Sequence, residues 1–288
     1  MAKGRELKGR IKSFEGMRKI TSTMEMVAAS KLKRANDRVI AARPYASALS
    51  TMIADLYSPD LAEDFPLLRQ PSTVRRAAIL LLTSNRGLAG GFNTNLIREA
   101  NALRKKLQGE GAEVELHVVG KKGAGYFRFL GVPLASARTD IGDFPSAEQA
   151  TELALPLAKD FRAGTLDAVF VVFAKYVSPL STPPTTQRIL PVTPPARTSA
   201  GTRDFLLFPD AKGILQELLP AYVRNAVYRA LVETACGEQG ARRTAMKNAT
   251  DNAGDLIDSL RRTFNRARQA QITQEIAEIV GGAEALNG

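Results

Sequence analysis

The stretch of this chain most suggestive of chemistry is LLLTSNRGLAGGFNTN, residues 80–95, a glycine-rich turn between an apolar run and a helical one. Open α/β folds often place phosphates at such a turn, over the N-terminus of the helix that follows. Here Gly87, Gly90 and Gly91 do not fit the G-x-G-x-x-G spacing, and no Gly-Lys-Ser/Thr comes after them. The stronger reading is a tight strand-to-helix turn in which glycines supply positive φ. GKKGAG at 120–125 is a fainter version of the same signal. No cofactor is expected at either place.

The other candidate groups point the same way. His117 is the only histidine and shares the polar side of an alternating strand with Glu113 and Glu115, as a solvated or hydrogen-bonded structural histidine would. With one histidine and one cysteine, Cys236, far apart in sequence, a zinc site would need carboxylates that nothing in the sequence singles out. No serine sits in a nucleophile-elbow pattern. Glu275 and Glu278 lie three apart on a polar helix and read as surface charges. The expectation is a chain with no catalytic residue and no metal.

The elements that carry these residues fall into three textures. From Lys3 to about Tyr57 the pattern is helical. Phe14, Met17, Thr21, Met24, Ala28, Lys31 and Ala35 recur at alternating spacings of 3 and 4, with Ile20, Val27 and Leu32 widening the stripe. Pro44 should bend this helix rather than end it. Residues 58–76 form a Pro-interrupted connector. Between 77 and 209, AAILLLTS, EVELHVVG and LDAVFVVFAKY read as strands, and QRILPVT as a further one. Helical stretches separate them at Asn93–Gln108, about Lys121–Leu130, and SAEQATELALPLAKDFRAG. Alternation of this kind predicts a parallel α/β sheet, Rossmann-like, closed by the loop TPPARTSAGTRD.

From about Asp210 helix returns and runs to about Leu286, through Pro220. Ala249, Ala253, Leu256, Leu260, Thr263, Ala267 and Ala270 form a heptad-like seam of small and apolar residues. Both long helices have narrow stripes, which are most simply buried by pairing the two in antiparallel fashion, with Met24 near the C-terminal half of the second. The domains expected are therefore 1–57 and 210–288 as coiled-coil helices, 58–76 as connector and 77–209 as an α/β domain.

Composition narrows the setting. The single cysteine rules out an internal disulfide framework and fits a reducing compartment. MAKGRELKGRIKSF has basic residues but no apolar segment after them, so no secretory signal is expected. The apolar runs are too short to cross a bilayer. Net charge is +11, and residues 1–43 alone hold twelve Lys/Arg against Glu6, Glu15, Glu25 and Asp37. That segment needs an anionic partner: nucleic acid, lipid headgroups or an acidic protein surface. Its basic side chains run around the helix rather than along one stripe, and few aromatics interleave them, which weakens the nucleic-acid reading. A nucleotide-binding α/β protein and a basic coiled-coil nucleic-acid binder remain the alternatives to a partner-protein role.

Three segments then carry a resemblance. MRKITSTMEMVAASKLKRA, SNRGLAGGFNTNL and ATDNAGDLIDSLRRTFNRARQAQITQEIAEIVGGAEAL closely resemble the gamma subunit of F-type ATP synthases, bacterial type, and YVRNAVYRALVETACGEQGARRTAMKNATDNAG matches in order. The resemblance spans essentially the whole chain. It implies a central rotor shaft inside a hexamer of alpha and beta subunits, with the α/β domain near the membrane c-ring and the epsilon subunit. It implies a peripheral place on the cytoplasmic face of the plasma membrane, attached through the ring only, with no nucleic-acid partner. By similarity Arg268, Gln269 and Thr273 match residues that engage a loop of one beta subunit, and Met24 matches the place where the shorter helix faces an acidic beta loop. The chain departs from the family pattern at Cys236, Gly237 and Gly240, where local flexibility or a kink is expected. It departs again in RDFLLFPD, where Phe205 keeps an aromatic but Phe208 replaces an acid.

Overall fold

The computed structural model describes residues 2–57, 64–178, 181–193 and 210–287. Phe205, Phe208, residues 58–63 of the 58–76 connector and nearly all of the closing loop lie outside the described residues. The elements run α1 (Ala2–Leu56), β1 (Arg76–Leu82), α2 (Phe92–Gly109), β2 (Glu113–Val119), α3 (Lys121–Phe129), β3 (Ser136–Arg138), α4 (Ala147–Arg162), β4 (Ala168–Ala174), β5 (Pro184–Leu190) and α5 (Ala211–Asn287). The chain forms two compact units, residues 29–242 and residues 1–28 with 243–288, so each long helix contributes to both.

In the 29–242 unit five strands lie in the order β3-β2-β1-β4-β5. β1 pairs in parallel with β2 and β4, and β2 with β3. β5 pairs antiparallel with β4, a correction to an all-parallel sheet. The link from β4 to β5 is short, and a parallel return would need a crossover of a dozen residues or more. β1 explains the continuous apolar run. Ala77, Ile79 and Leu81 enter one core with Leu96, Ala100 and Phe127 of α2 and α3, while Ala78, Leu80 and Leu82 enter another with Leu157 and Phe161 of α4 and Leu219, Val223 and Val227 of α5. Every side chain of β1 after Arg76 is buried, and full burial of each Leu or Ile contributes about 1.5–3 kcal/mol. α4 starts where a capping box forms: Ser146 Oγ accepts from the Gln149 amide at 3.2 Å, and Gln149 Oε1 accepts from the Ser146 amide at 3.1 Å.

α5 passes through CGEQGARR without a break, and residues 231–240 are all buried. The expected flexibility is not what Gly237 supplies. A Cβ there would sit 3.0 Å from Ala174 Cβ, 3.1 Å from Thr182 Cβ and 3.2 Å from Phe92 Cε2, so the glycine lets the helix approach the sheet closely.

In the unit of residues 1–28 and 243–288, α1 and α5 run antiparallel. The hydroxyl oxygens of Thr21 and Thr250 are 2.8 Å apart, and Arg261 Nη2 donates to Glu15 Oε1 at 2.7 Å. On α5 the seam is Met246, Ala253 and Ile257, continued by half-buried Leu260, Phe264, Ala267 and Gln271. Ala253, Leu260 and Ala267 fall where the spacing puts them, but Leu256 is 47 % exposed and Ile257 takes its place, with Phe264 replacing Thr263 and Gln271 replacing Ala270. On α1, Leu7, Ile11, Phe14, Thr21, Met24 and Ala28 face inward, whereas Met17, Ile20 and Val27 are exposed. The stripe is narrower than the sequence suggested.

Candidate functional site

Met24 sits one turn beyond Thr21 on α1, half-buried, level with the turn of α5 that precedes Thr250. That places it at the middle of α5 rather than in its C-terminal half. Arg268, Gln269 and Thr273 are exposed on α5, beside half-buried Ala267 and Gln271. Gln269 and Thr273 are one turn apart, and the Thr273 hydroxyl donates to the Gln269 carbonyl at 3.0 Å. Arg268 projects about 100° around the helix from Gln269. Among the described residues the Arg268 guanidinium has no hydrogen-bond partner in the chain, leaving its five donors free for an outside acceptor. Some 20 residues of helix, roughly 30 Å, separate the level of Met24 from this trio, so the two places cannot grip one small ligand. Glu275 and Glu278 do not converge: Gln271 Nε2 and Gln274 Nε2 bond one each, at 2.9 Å.

The glycine-rich turn has a different use. In a sheet of this order the ligand crevice opens at the carboxyl ends of β1 and β4. The cavity present lies beside it, at the carboxyl ends of β1 and β2, where Thr83, Ser84, Asn85, Lys121 and Asp143 line it together with Leu231, Thr234, Ala235 and Glu238 of α5. The helix is bonded there: Glu233 Oε2 accepts from the Tyr176 amide at 2.8 Å, and Thr234 Oγ1 accepts from the Ala174 amide at 3.3 Å. The polar side chains of the turn tie neighbouring loops. Asn93 Oδ1 accepts from the Ser84 amide, and Asn85 donates to Thr139 and Ile141 carbonyls while accepting from the Lys121 amide. Positive φ occurs at Gly90 and also at Leu88, a non-glycine residue at +62°.

Buried titratable groups are structural in geometry. His117 Nδ1 and Ser136 Oγ lie 2.8 Å apart, and burial pushes the imidazole pKa down. Burial pushes the Cys236 thiol up to about 11 and raises Glu238 above the usual carboxylate range, partly offset by Arg242 at 2.5 Å. A high thiol pKa is the opposite of a reactive cysteine. Among the described residues no three His, Cys, Asp or Glu side chains converge as a metal site would require, and no helix is long and apolar enough to cross a membrane.

The sequence missed the polar ties between the helices and the loops, because Lys31 and Asp143, or Tyr176 and Asn36, lie 112 and 140 residues apart. Nothing local marks them.

Comparison with known proteins covers the whole chain. A family model described as ATP synthase matches residues 3–286. The ATP synthase gamma chain of Gemmatimonas aurantiaca is 61% identical over 290 residues, covering 100% of both chains. That of Moorella thermoacetica is 44% identical over 99% of this chain and 100% of its own length. The fold resembles a chain in the central stalk/c-ring structure of Tetrahymena thermophila mitochondrial ATP synthase, with a TM-score of 0.63, 23% identity, and coverage of 80% of this chain and 99% of that one. A chain of the Euglena gracilis mitochondrial ATP synthase rotor gives a TM-score of 0.66 at 18% identity, covering 94% and 99%.

Proposed function

This chain belongs to the ATP synthase gamma-chain family, and on that premise we propose that it is the central rotor shaft of an F-type complex. The shaft couples proton flow through a membrane c-ring to ATP synthesis or hydrolysis at the beta subunits. The chemistry belongs to those subunits, and this chain supplies rotation rather than a catalytic site. Residues 1–57 and 210–288 act as the shaft helices. Residues 77–209, joined by the 58–76 connector, act as the α/β domain near the ring and the epsilon subunit. The chain sits peripherally on the cytoplasmic face of a bacterial plasma membrane, attached through the ring only.

The observation that carries this reading is the antiparallel helix pair with a narrow seam and exposed polar flanks, in a chain matched end to end by gamma chains. A shaft turning inside a sleeve cannot keep one fixed apolar footprint, because a large dry contact would hold it at one angle. A few oriented hydrogen bonds are switchable. Arg268 with Gln269 and Thr273 engages a loop of one beta subunit at a time, each bond to the guanidinium contributing about 1.5–3 kcal/mol. Met24 and its basic neighbours face an acidic beta loop, which answers the demand of the basic N-terminal segment for an anionic partner.

The test is co-expression with alpha, beta and epsilon subunits. The unaltered chain should co-purify with all three. Arg268→Ala, and more so Arg268→Ala with Gln269→Ala, should impair assembly or lower ATP synthesis per assembled complex, while the melting temperature of the isolated chain barely moves because these side chains are exposed. Full assembly with unchanged synthesis would remove the assignment of these residues to the beta contact.

A further inference from the structure

Asp143, in the loop between β3 and α4, accepts from both long helices with one carboxylate. Oδ2 takes Lys31 Nζ of α1 at 2.5 Å, and Oδ1 takes Gln239 Nε2 of α5 at 3.1 Å. Tyr176, just past β4, also joins both long helices, but as a donor. Its phenol donates to Asn36 Oδ1 of α1 at 2.5 Å, and its amide donates to Glu233 Oε2 of α5 at 2.8 Å. Each junction carries an aromatic ring under an α1 arginine. Arg34 and Arg38 lie 5.2 and 4.7 Å from the Phe144 ring beside Asp143, and Arg43 lies 5.9 Å from the Tyr176 ring.

Lys31, Arg34 and Arg38 share one flank of α1, at helical spacings of 3 and 4, and Asn36 and Arg43 share the other, two turns apart. Between the flanks Leu32, Ala35 and Val39 pack on Val232 and Cys236 of α5. That apolar contact is non-directional, so it resists separation of the helices but resists sliding or turning only weakly. Oriented hydrogen bonds on both flanks, charge-assisted at Lys31 and neutral at Asn36, oppose rotation of α1 in either sense.

We propose that Asp143 and Tyr176 form a two-point clamp through which torque passes between the α/β sheet and the helix pair. The inference rests on the rotor reading above. Both are positioning residues: they touch no nucleotide and act by fixing the angle of the helices against the sheet.

The test uses the assembled complex with its alpha and beta subunits immobilised and a bead fixed to the α/β domain. Torsional stiffness is read from angular fluctuations while the enzyme is stalled. Lys31→Met with Tyr176→Phe deletes both charged or hydroxyl ties to α1 while keeping the aliphatic stem and the ring. Stiffness should fall at least two-fold, and protons pumped per ATP hydrolysed should drop, while ATP hydrolysis continues at the unaltered rate. Each single substitution should give a smaller fall. Lys31→Arg, which keeps the charge, should restore part of the stiffness lost in Lys31→Met. Stiffness and pumping equal to those of the unaltered complex would overturn the clamp. If the unaltered chain itself shows no rotation, the rotor reading fails instead, which separates the two outcomes.

Discussion

Thr21 and Thr250, 229 residues apart, bring their hydroxyl oxygens within 2.8 Å, and each oxygen also lies within reach of the carbonyl four residues before it, Met17 at 3.1 Å and Met246 at 2.9 Å. This contact fixes the antiparallel register of α1 against α5. In a Cys236→Ser background, Thr21→Cys paired with Thr250→Cys should crosslink readily under mild oxidation. Efficient crosslinking of Thr21→Cys with Leu215→Cys instead would mean that the register is wrong.

Gly120 should tolerate no side chain. Its φ is +99°, and a Cβ would fall 2.2 Å from the Thr83 carbonyl oxygen, which is backbone and cannot rotate away. Gly120→Ala should cost about 3 kcal/mol or more through strain and displacement of the β1 end. Thermal melting of the isolated chain checks this, and a loss under about 1 kcal/mol would contradict the close approach.

Cys236 should be inert in the native chain. Its thiol is held at about 11 by burial, so at pH 8 only about one molecule in a thousand carries the reactive thiolate. Labelling by iodoacetamide at pH 8 should be slow until denaturant is added. Rapid native labelling would show that α5 opens near the sheet.

Acid should weaken one surface tie selectively. Arg138 bonds Asp140 and holds its carboxyl at about 2 rather than 3.8. A depressed folded-state value gives stability that is present above pH 3.8 and lost as pH falls through 2. Asp140 is half exposed, so solvent screening keeps the contribution under about 1 kcal/mol. Asp140→Asn should therefore melt slightly lower than the unaltered chain at pH 7, with the gap closing near pH 2. A gap that stays constant down to pH 2 would assign the effect to packing.

The long helices, four of the five strands and the family motifs were legible because each is carried by local pattern. The seam of α5 slipped by one residue at Leu256, Thr263 and Ala270; at the first of these Leu256 and Ile257 are both apolar, and only α1 decides which one turns inward. β3 was missed since Ser136–Arg138 has no apolar run, and its place is set by pairing with His117 and Val119. The direction of β5 depends on the length of its connection, not on its composition. Asp143 sits in a polar loop like many others, and its role follows from Lys31 and Gln239 arriving there together.

Alpha and beta subunits assembled with this chain, immobilised through beta, and carrying a bead on the α/β domain should turn in one direction when ATP is added and stop when it is removed. ATP hydrolysis and bead rotation should rise and fall together. Sustained ATP hydrolysis by the assembled complex with the bead fixed in angle would contradict the role of this chain as a rotor.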